Sequence, residues 1–68
     1  MDRQTTYVVT VDGKFIKEYN PMGSNVFTPH YQQALHWAAE ENATFVAMLY
    51  PSERGNVYEV TSVMTKLR

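Results

Sequence analysis

The chain has 68 residues, which is enough for one small domain, and we expect residues 1–68 to form a single one. Apolar residues make up 44% and charged residues 19%, a globular balance that excludes a disordered chain. The net charge is −1 and neither sign forms a run, so the charge gives no broad electrostatic argument for binding nucleic acid or an anionic membrane. Because the chain has no cysteine, neither a disulfide nor a thiolate zinc site can support so small a core. This raises the expectation of a protein partner or a second copy of the chain.

The chain carries no pattern typical of secretion or membrane insertion. Its first residues, MDRQTTYVV, lack the basic-then-apolar order of a signal peptide. The longest apolar run, residues 45–51, is far shorter than the roughly 20 residues that cross a bilayer. We therefore expect a cytoplasmic protein with no membrane partner.

The first two predicted strands are residues 7–11 (YVVTV) and 14–19 (KFIKEY), which are rich in β-branched and aromatic residues. Asp12-Gly13 lies between them. An Asp-Gly pair between two such runs predicts a hairpin with a type I′ turn, because that turn needs positive φ at both central positions.

The length of this turn decides which side chains face the core. With a two-residue loop, Val9 lies opposite Ile16, and Phe15 and Tyr19 share the face away from the core. A bulged loop would instead place Phe15 and Tyr19 on the core side. We favour the tight turn.

Residues 20–25 (NPMGSN) predict a loop, and residues 27–41 (FTPHYQQALHWAAEE) predict an amphipathic helix. Thr28 can cap the first amides, and Pro29 suits the first helical position because its missing N–H costs nothing there. Asn42 is the expected stop. The apolar stripe of this helix would consist of Tyr31, Ala34, Leu35 and Ala38.

The second half predicts two more strands, residues 44–50 (TFVAMLY) and 57–65 (VYEVTSVMT), with a turn at 51–56. The expected fold is α+β with the order ββαββ, a mainly antiparallel four-stranded sheet with one helix packed on one face. One helix cannot cover both faces, so the far face is open to a partner. Candidates for that face are Phe15, Tyr19, Val57, Val63 and alternate residues of 44–50.

Trp37 lies beside the helical stripe and not within it. One interpretation is that its ring leans over the sheet edge and extends the core. The other is that it anchors an interface, since tryptophan is enriched among hot spots. On that hypothesis the partner-binding residues are His30, Gln33 and Trp37 on the helix flank, with Phe15 and Tyr19 on the sheet.

A second hypothesis is single-stranded nucleic-acid binding, because a sheet with aromatic and basic side chains can stack bases. The opposing observation is the charge balance, six basic residues against seven acidic ones. The residues of this alternative site are Lys14, Lys17, Arg54, Tyr58 and Lys66.

No residue pattern indicates catalysis, so we expect no enzyme, cofactor, metal or small-molecule substrate. His30 and His36 are six residues apart, roughly 240° around a helix, and cannot chelate one metal from it. Glu40 and Glu41 would close the helix beside its negative end, where acids are mildly unfavourable. They are adjacent, about 100° apart, and form no catalytic pair.

The hairpin YVVTVDGKFIKEY and the stretch FTPHYQQALHWAAEENATFVAML together resemble small uncharacterised proteins of phages and prophages of Gram-positive bacteria. Those proteins similarly combine an N-terminal hairpin with a phenylalanine-led, alanine-rich helix and a strand. The resemblance implies an accessory or host-interacting protein that acts by binding, without chemistry of its own. We therefore expect a non-enzymatic protein-interaction module, with a separate protein partner or as a homodimer.

Overall fold

The computed structural model describes residues 4–68 and shows an α+β fold, in which one α-helix packs on a five-stranded antiparallel sheet. The elements in chain order are β1 (Thr6–Val11), β2 (Lys14–Glu18), β3 (Val26–Thr28), a short 3-10 helix (Tyr31–Gln33), α1 (Glu40–Ala47), β4 (Gly55–Val60) and β5 (Met64–Lys66). The strands lie in the order β3-β2-β1-β4-β5, so β1 is central and pairs with β4 along its whole length.

The turn between β1 and β2 confirms the prediction from Asp-Gly. Asp12 has φ 54° and Gly13 has φ 83°, the positive values that a type I′ turn requires. Val11 pairs with Lys14 across a two-residue loop, so the predicted tight register is correct. That register places Ile16 in the core. Phe15, the preceding residue on β2, therefore points to the other face of the sheet.

The α-helix predicted over 27–41 and the strand predicted over 44–50 are both wrong. The first stretch forms β3, the 3-10 helix and an extended segment, and the helix α1 begins thirteen residues after the predicted start. Glu40 and Glu41 therefore open a helix at its positive end, where carboxylates are favourable, and do not close one. The run TFVAMLY has no period that separates a buried strand from a packed helix, so its continuity misled the assignment.

The sheet has five strands and not four for two reasons. Residues 26–28, expected to lead into the helix, pair with β2 as β3. The predicted last strand over 57–65 is broken by a turn at 61–63, and its two parts pair with each other as β4 and β5. The order of elements is therefore βββαββ, and the second hairpin lies within a segment that was expected to be one strand.

The strands β1 and β2 pair beside their turn, and residues 35–37 lie between their open ends. The Leu35 N–H donates to the Ile16 carbonyl at 2.8 Å. On the other side, the Trp37 N–H donates to the Tyr7 carbonyl at 2.8 Å and the Tyr7 N–H donates to the Trp37 carbonyl at 2.9 Å. Residues 35–37 thus supply backbone partners to both strands.

This segment also carries the chain from one face of the sheet to the other. The ring of Phe15 contacts that of Tyr31 in the 3-10 helix, with centroids 5.7 Å apart. Ile16 points the opposite way and packs with residues of α1. We call the side of Ile16 and α1 the helix face and the side of Phe15 the far face.

The core lies on the helix face, between α1 and the central strands. Its buried apolar residues are Val9, Val11, Ile16, Ala43, Val46, Ala47 and Val57. Tyr19 also packs against this cluster, so the expectation that Tyr19 and Val57 lie on the far face is wrong. Val63 is exposed in the β4–β5 turn.

Gly55, at the start of β4, lies against the end of α1. A Cβ at this position would sit 2.6 Å from the Ala47 carbonyl oxygen and 3.2 Å from the Tyr50 Cβ. We expect Gly55→Ala to lower the free energy of unfolding by about 1–3 kcal/mol, because the backbone must shift to admit the methyl group. Thermal unfolding followed by circular dichroism would show a fall of at least several degrees in Tm.

Gly23→Ala is the matched control for this prediction. A Cβ at Gly23 meets no atom within 4 Å, and φ there is not positive. Its Tm should be unchanged or slightly higher, since alanine restricts the unfolded chain. Equal Tm values for the two variants would contradict the close approach at Gly55.

Candidate functional site

The structure separates the three residues predicted for a helix flank. Trp37 is half-buried on the helix face and lies edge-on to Tyr19, with ring centroids 6.5 Å apart. His30 precedes the 3-10 helix and Gln33 ends it, and both are exposed. The His30 N–H donates to the Thr28 hydroxyl oxygen, and that hydroxyl donates to Gln33 Oε1. They therefore lie on the opposite side of the sheet from Trp37. The interpretation that Trp37 extends the core agrees with this placement.

Phe15 and Tyr19, predicted to share one face, lie on opposite faces. On the far face the ring of Tyr31 lies between those of Phe15 and His36, and both centroid distances are 5.7 Å. His36 Nδ1 also bonds the Thr6 hydroxyl at 2.8 Å. The chain's own side chains thus cover part of the face that was expected to be open.

The residues predicted for nucleic-acid binding fall into separate groups. Lys14 and Arg54 line a cavity on the helix face, at the end of the sheet where β1 turns into β2. Tyr58 and Lys66 are directly opposite each other on β4 and β5, on the far face. Lys17 is exposed on β2. The structure does not bring these five side chains onto one surface.

The outer side of α1 carries an apolar stripe that the sequence analysis missed. Phe45, Met48 and Leu49 are 62%, 63% and 57% exposed. Phe45 lies in the last turn of α1, and Met48 caps the helix three residues later, so their side chains share one side and line one depression. Leu49 follows in the turn after the helix. The buried stripe of the same helix consists of Ala43, Val46 and Ala47. The helix is therefore apolar on both sides, which explains why TFVAMLY shows no helical period.

A shallow depression lies along this outer side of α1. Its lining residues are Ala39, Glu40, Glu41, Thr44, Phe45 and Met48. The apolar part is formed by Phe45 and Met48, and the carboxylates stand at the start of the helix. Within residues 4–68 the one ion pair joins Arg54 to Asp12, so no basic side chain of those residues forms an ion pair with either glutamate. This surface combines apolar contact area with negative charge.

The cavity at the turn end has a volume of about 460 Å³ and takes its walls from three segments of the chain. It is lined by Val11, Asp12, Lys14, Gly23, Ser24, Asn25, Phe27, Tyr50 and Arg54. Phe27 lies edge-on to Tyr50, with ring centroids 6.5 Å apart and planes at 76°. The sequence offered no sign of this cavity because its lining residues are up to 43 positions apart (Val11 to Arg54).

An ion pair spans one side of this cavity. Arg54 Nε donates to both carboxylate oxygens of Asp12 at 2.9 and 3.1 Å, and Arg54 Nη2 donates to Oδ2 at 2.7 Å. The Asp12 N–H also donates to the Arg54 carbonyl at 3.0 Å. These side-chain hydrogen bonds hold the pKa of Asp12 below its ordinary value and raise the pKa of Arg54.

In the part of the chain that the structure describes, no three histidine, aspartate or glutamate side chains gather as they would around a metal ion. No helix among residues 4–68 is long and apolar enough to cross a membrane.

Comparison of the chain with protein-family models, with curated proteins and with solved structures finds no match. The functional argument therefore depends on the chain's own surfaces. The two with distinctive chemistry are the outer side of α1 and the turn-end cavity.

Replacing Arg54 tests the electrostatic link to Asp12. We expect Arg54→Gln to raise the pKa of Asp12 toward the ordinary value of an exposed aspartate, measured by NMR titration of the carboxyl group. The pKa of Asp12 is lower in the folded protein than in the unfolded chain. The ion pair with Arg54 therefore stabilises the fold at pH values above the unfolded-state pKa of Asp12, and this stabilisation is lost as pH falls through the folded-state pKa. Lys14→Gln is the control, and in this variant the pKa of Asp12 should stay close to that of the unsubstituted protein. An unchanged Asp12 pKa in Arg54→Gln would show that the ion pair does not form in solution.

Proposed function

We propose that this protein acts by binding another protein through the outer side of α1, without catalytic chemistry of its own. The observation that carries the proposal is the exposed stripe of Phe45, Met48 and Leu49. Single exposed apolar residues are common on monomers, but three large ones within five positions, at the end of α1 and in the turn that follows it, form a patch. Packing within the chain does not explain them, since a different stripe of the helix faces the core.

The chemistry of this surface indicates the kind of partner. The depression offers Phe45 and Met48 to an apolar side chain, and Met adapts well to irregular surfaces. Glu40 and Glu41 at its end favour a lysine or arginine beside that side chain. The proposed partner segment therefore presents an apolar residue flanked by basic ones.

The biological setting of this proposal comes from the resemblance to phage and prophage proteins. An accessory or host-interacting protein needs a binding surface and no active site. We therefore place the interaction in the cytoplasm of a Gram-positive host, with a host or phage protein as the partner. A homodimer would use the same stripe and is an outcome that the experiment below distinguishes.

Replacing Met48 by serine tests the proposed surface. We expect the tagged protein to retain a defined protein from nuclease-treated lysate of a Gram-positive bacterium, and Met48→Ser to bind it about thirtyfold more weakly. A loss of this size corresponds to about 2 kcal/mol, the cost of truncating a hot-spot side chain. The affinity is measured by titration with the purified partner. The fold should be unaffected, because substitutions at exposed positions change stability by about 0.5 kcal/mol or less.

Met22→Ser is the matched control, since Met22 is 97% exposed in the loop before β3 and distant in sequence from α1. It should bind the partner as the unsubstituted protein does. Glu40→Gln with Glu41→Gln should weaken binding at low salt more than at high salt. Equal binding by Met48→Ser and Met22→Ser would overturn the proposed surface. A dimeric mass by light scattering that Met48→Ser abolishes would replace the partner by a second copy.

A further inference from the structure

The turn-end cavity lies apart from the outer side of α1 and is a second candidate binding site. Its volume of about 460 Å³ is within the range of about 300–1,000 Å³ that is typical of small-molecule sites. A cavity of this size takes a molecule larger than one ring or one inorganic anion. It lies between the β1–β2 turn, the loop before β3 and the loop that joins α1 to β4.

Two aromatic side chains form the apolar part of the wall. Phe27 and Tyr50 lie edge-to-face, and Phe27 is 38% exposed. The edge-to-face contact leaves ring surface to which a planar group can add by stacking or by a further edge contact. A flat aromatic ligand therefore suits this wall better than an aliphatic one.

Two basic side chains also line the cavity. Lys14 has no ion-pair partner among residues 4–68. Arg54 uses its Nε–H and one Nη2–H on Asp12, which leaves three of its five N–H groups for another acceptor. The lining contains two positive side chains, Lys14 and Arg54, and one negative side chain, Asp12, so its net charge is +1. This balance favours an anionic group.

Hydrogen bonds hold the third side of the cavity in place. Asn25 Nδ2 donates to the Tyr50 hydroxyl oxygen at 2.9 Å, which leaves the hydroxyl hydrogen available to a ligand. The Asn20 N–H donates to Asn25 Oδ1 at 2.8 Å, and Asn20 Nδ2 donates to the Ser24 carbonyl at 2.9 Å. The loop is thereby ordered before any ligand binds, which lowers the entropy cost of binding.

From this juxtaposition we infer that the cavity binds a small aromatic anion of the nucleoside monophosphate type. The base lies against Phe27 and Tyr50, and the phosphate is held by Lys14 and the remaining N–H groups of Arg54. The inference goes beyond protein binding and does not depend on it, because the cavity and the outer stripe of α1 share no residue.

Titration with adenosine monophosphate, followed by amide chemical shifts in NMR spectra, tests this inference. We expect saturable shifts at the lining residues Lys14, Gly23 and Ser24. Adenosine alone and inorganic phosphate alone should each bind at least tenfold more weakly, because each engages only one part of the wall. Lys14→Gln should weaken adenosine monophosphate about tenfold, since a charge-assisted contact is lost.

Lys17→Gln is the control for Lys14→Gln, because Lys17 is an exposed lysine of the same strand that does not line the cavity. Its affinity for adenosine monophosphate should equal that of the unsubstituted protein. The inference is overturned if the shifts fail to saturate, if they map to Tyr58 and Lys66, or if the two lysine variants bind equally. Inorganic phosphate that binds as tightly as adenosine monophosphate would also overturn it, since the aromatic wall would then contribute nothing.

Discussion

The fold depends on the insertion of residues 35–37 between β1 and β2. This segment gives hydrogen-bond partners to the Tyr7 backbone on one side and to the Ile16 carbonyl on the other. A buried backbone group without a partner costs about 1–3 kcal/mol, so the open ends of the two strands depend on this segment. The same insertion puts the 3-10 helix on the far face and α1 on the helix face. The elements before and after this short stretch thereby lie on opposite sides of the sheet.

The helix α1 has one apolar side against the sheet and another exposed. It has eight residues, and so short a helix is stable through its packing rather than by itself. It presents Ala43 and Ala47 to the sheet, and Gly55 lies against the Ala47 carbonyl. Small residues at the contact bring the helix close, and the large apolar side chains are left outside. The same packing that secures the helix thus creates the surface proposed for partner binding.

At the other end of the sheet, Asp12 has two physical roles. Its backbone supplies a positive φ in the turn, which Asp tolerates better than most residues. Its carboxylate joins the hairpin to Arg54 in the loop after α1. This link positions Lys14 and Tyr50 on one cavity although the two residues lie in different parts of the chain. The turn is therefore both a local element and a wall of the second candidate site.

The sequence by itself determined the features that local chemistry decides. Asp12-Gly13 specified the type I′ turn and, through it, the register that puts Val9 and Ile16 in the core. The sequence did not determine whether TFVAMLY is strand or helix, because an apolar run suits either. Glu40 and Glu41, which were expected to close a helix, instead lie in the first turn of α1, where carboxylates are favourable. The crossing at 35–37, the exposed side of α1 and the cavity were decided only by tertiary structure. Each depends on backbone hydrogen bonds or side-chain contacts between segments distant in the chain, which no local pattern encodes.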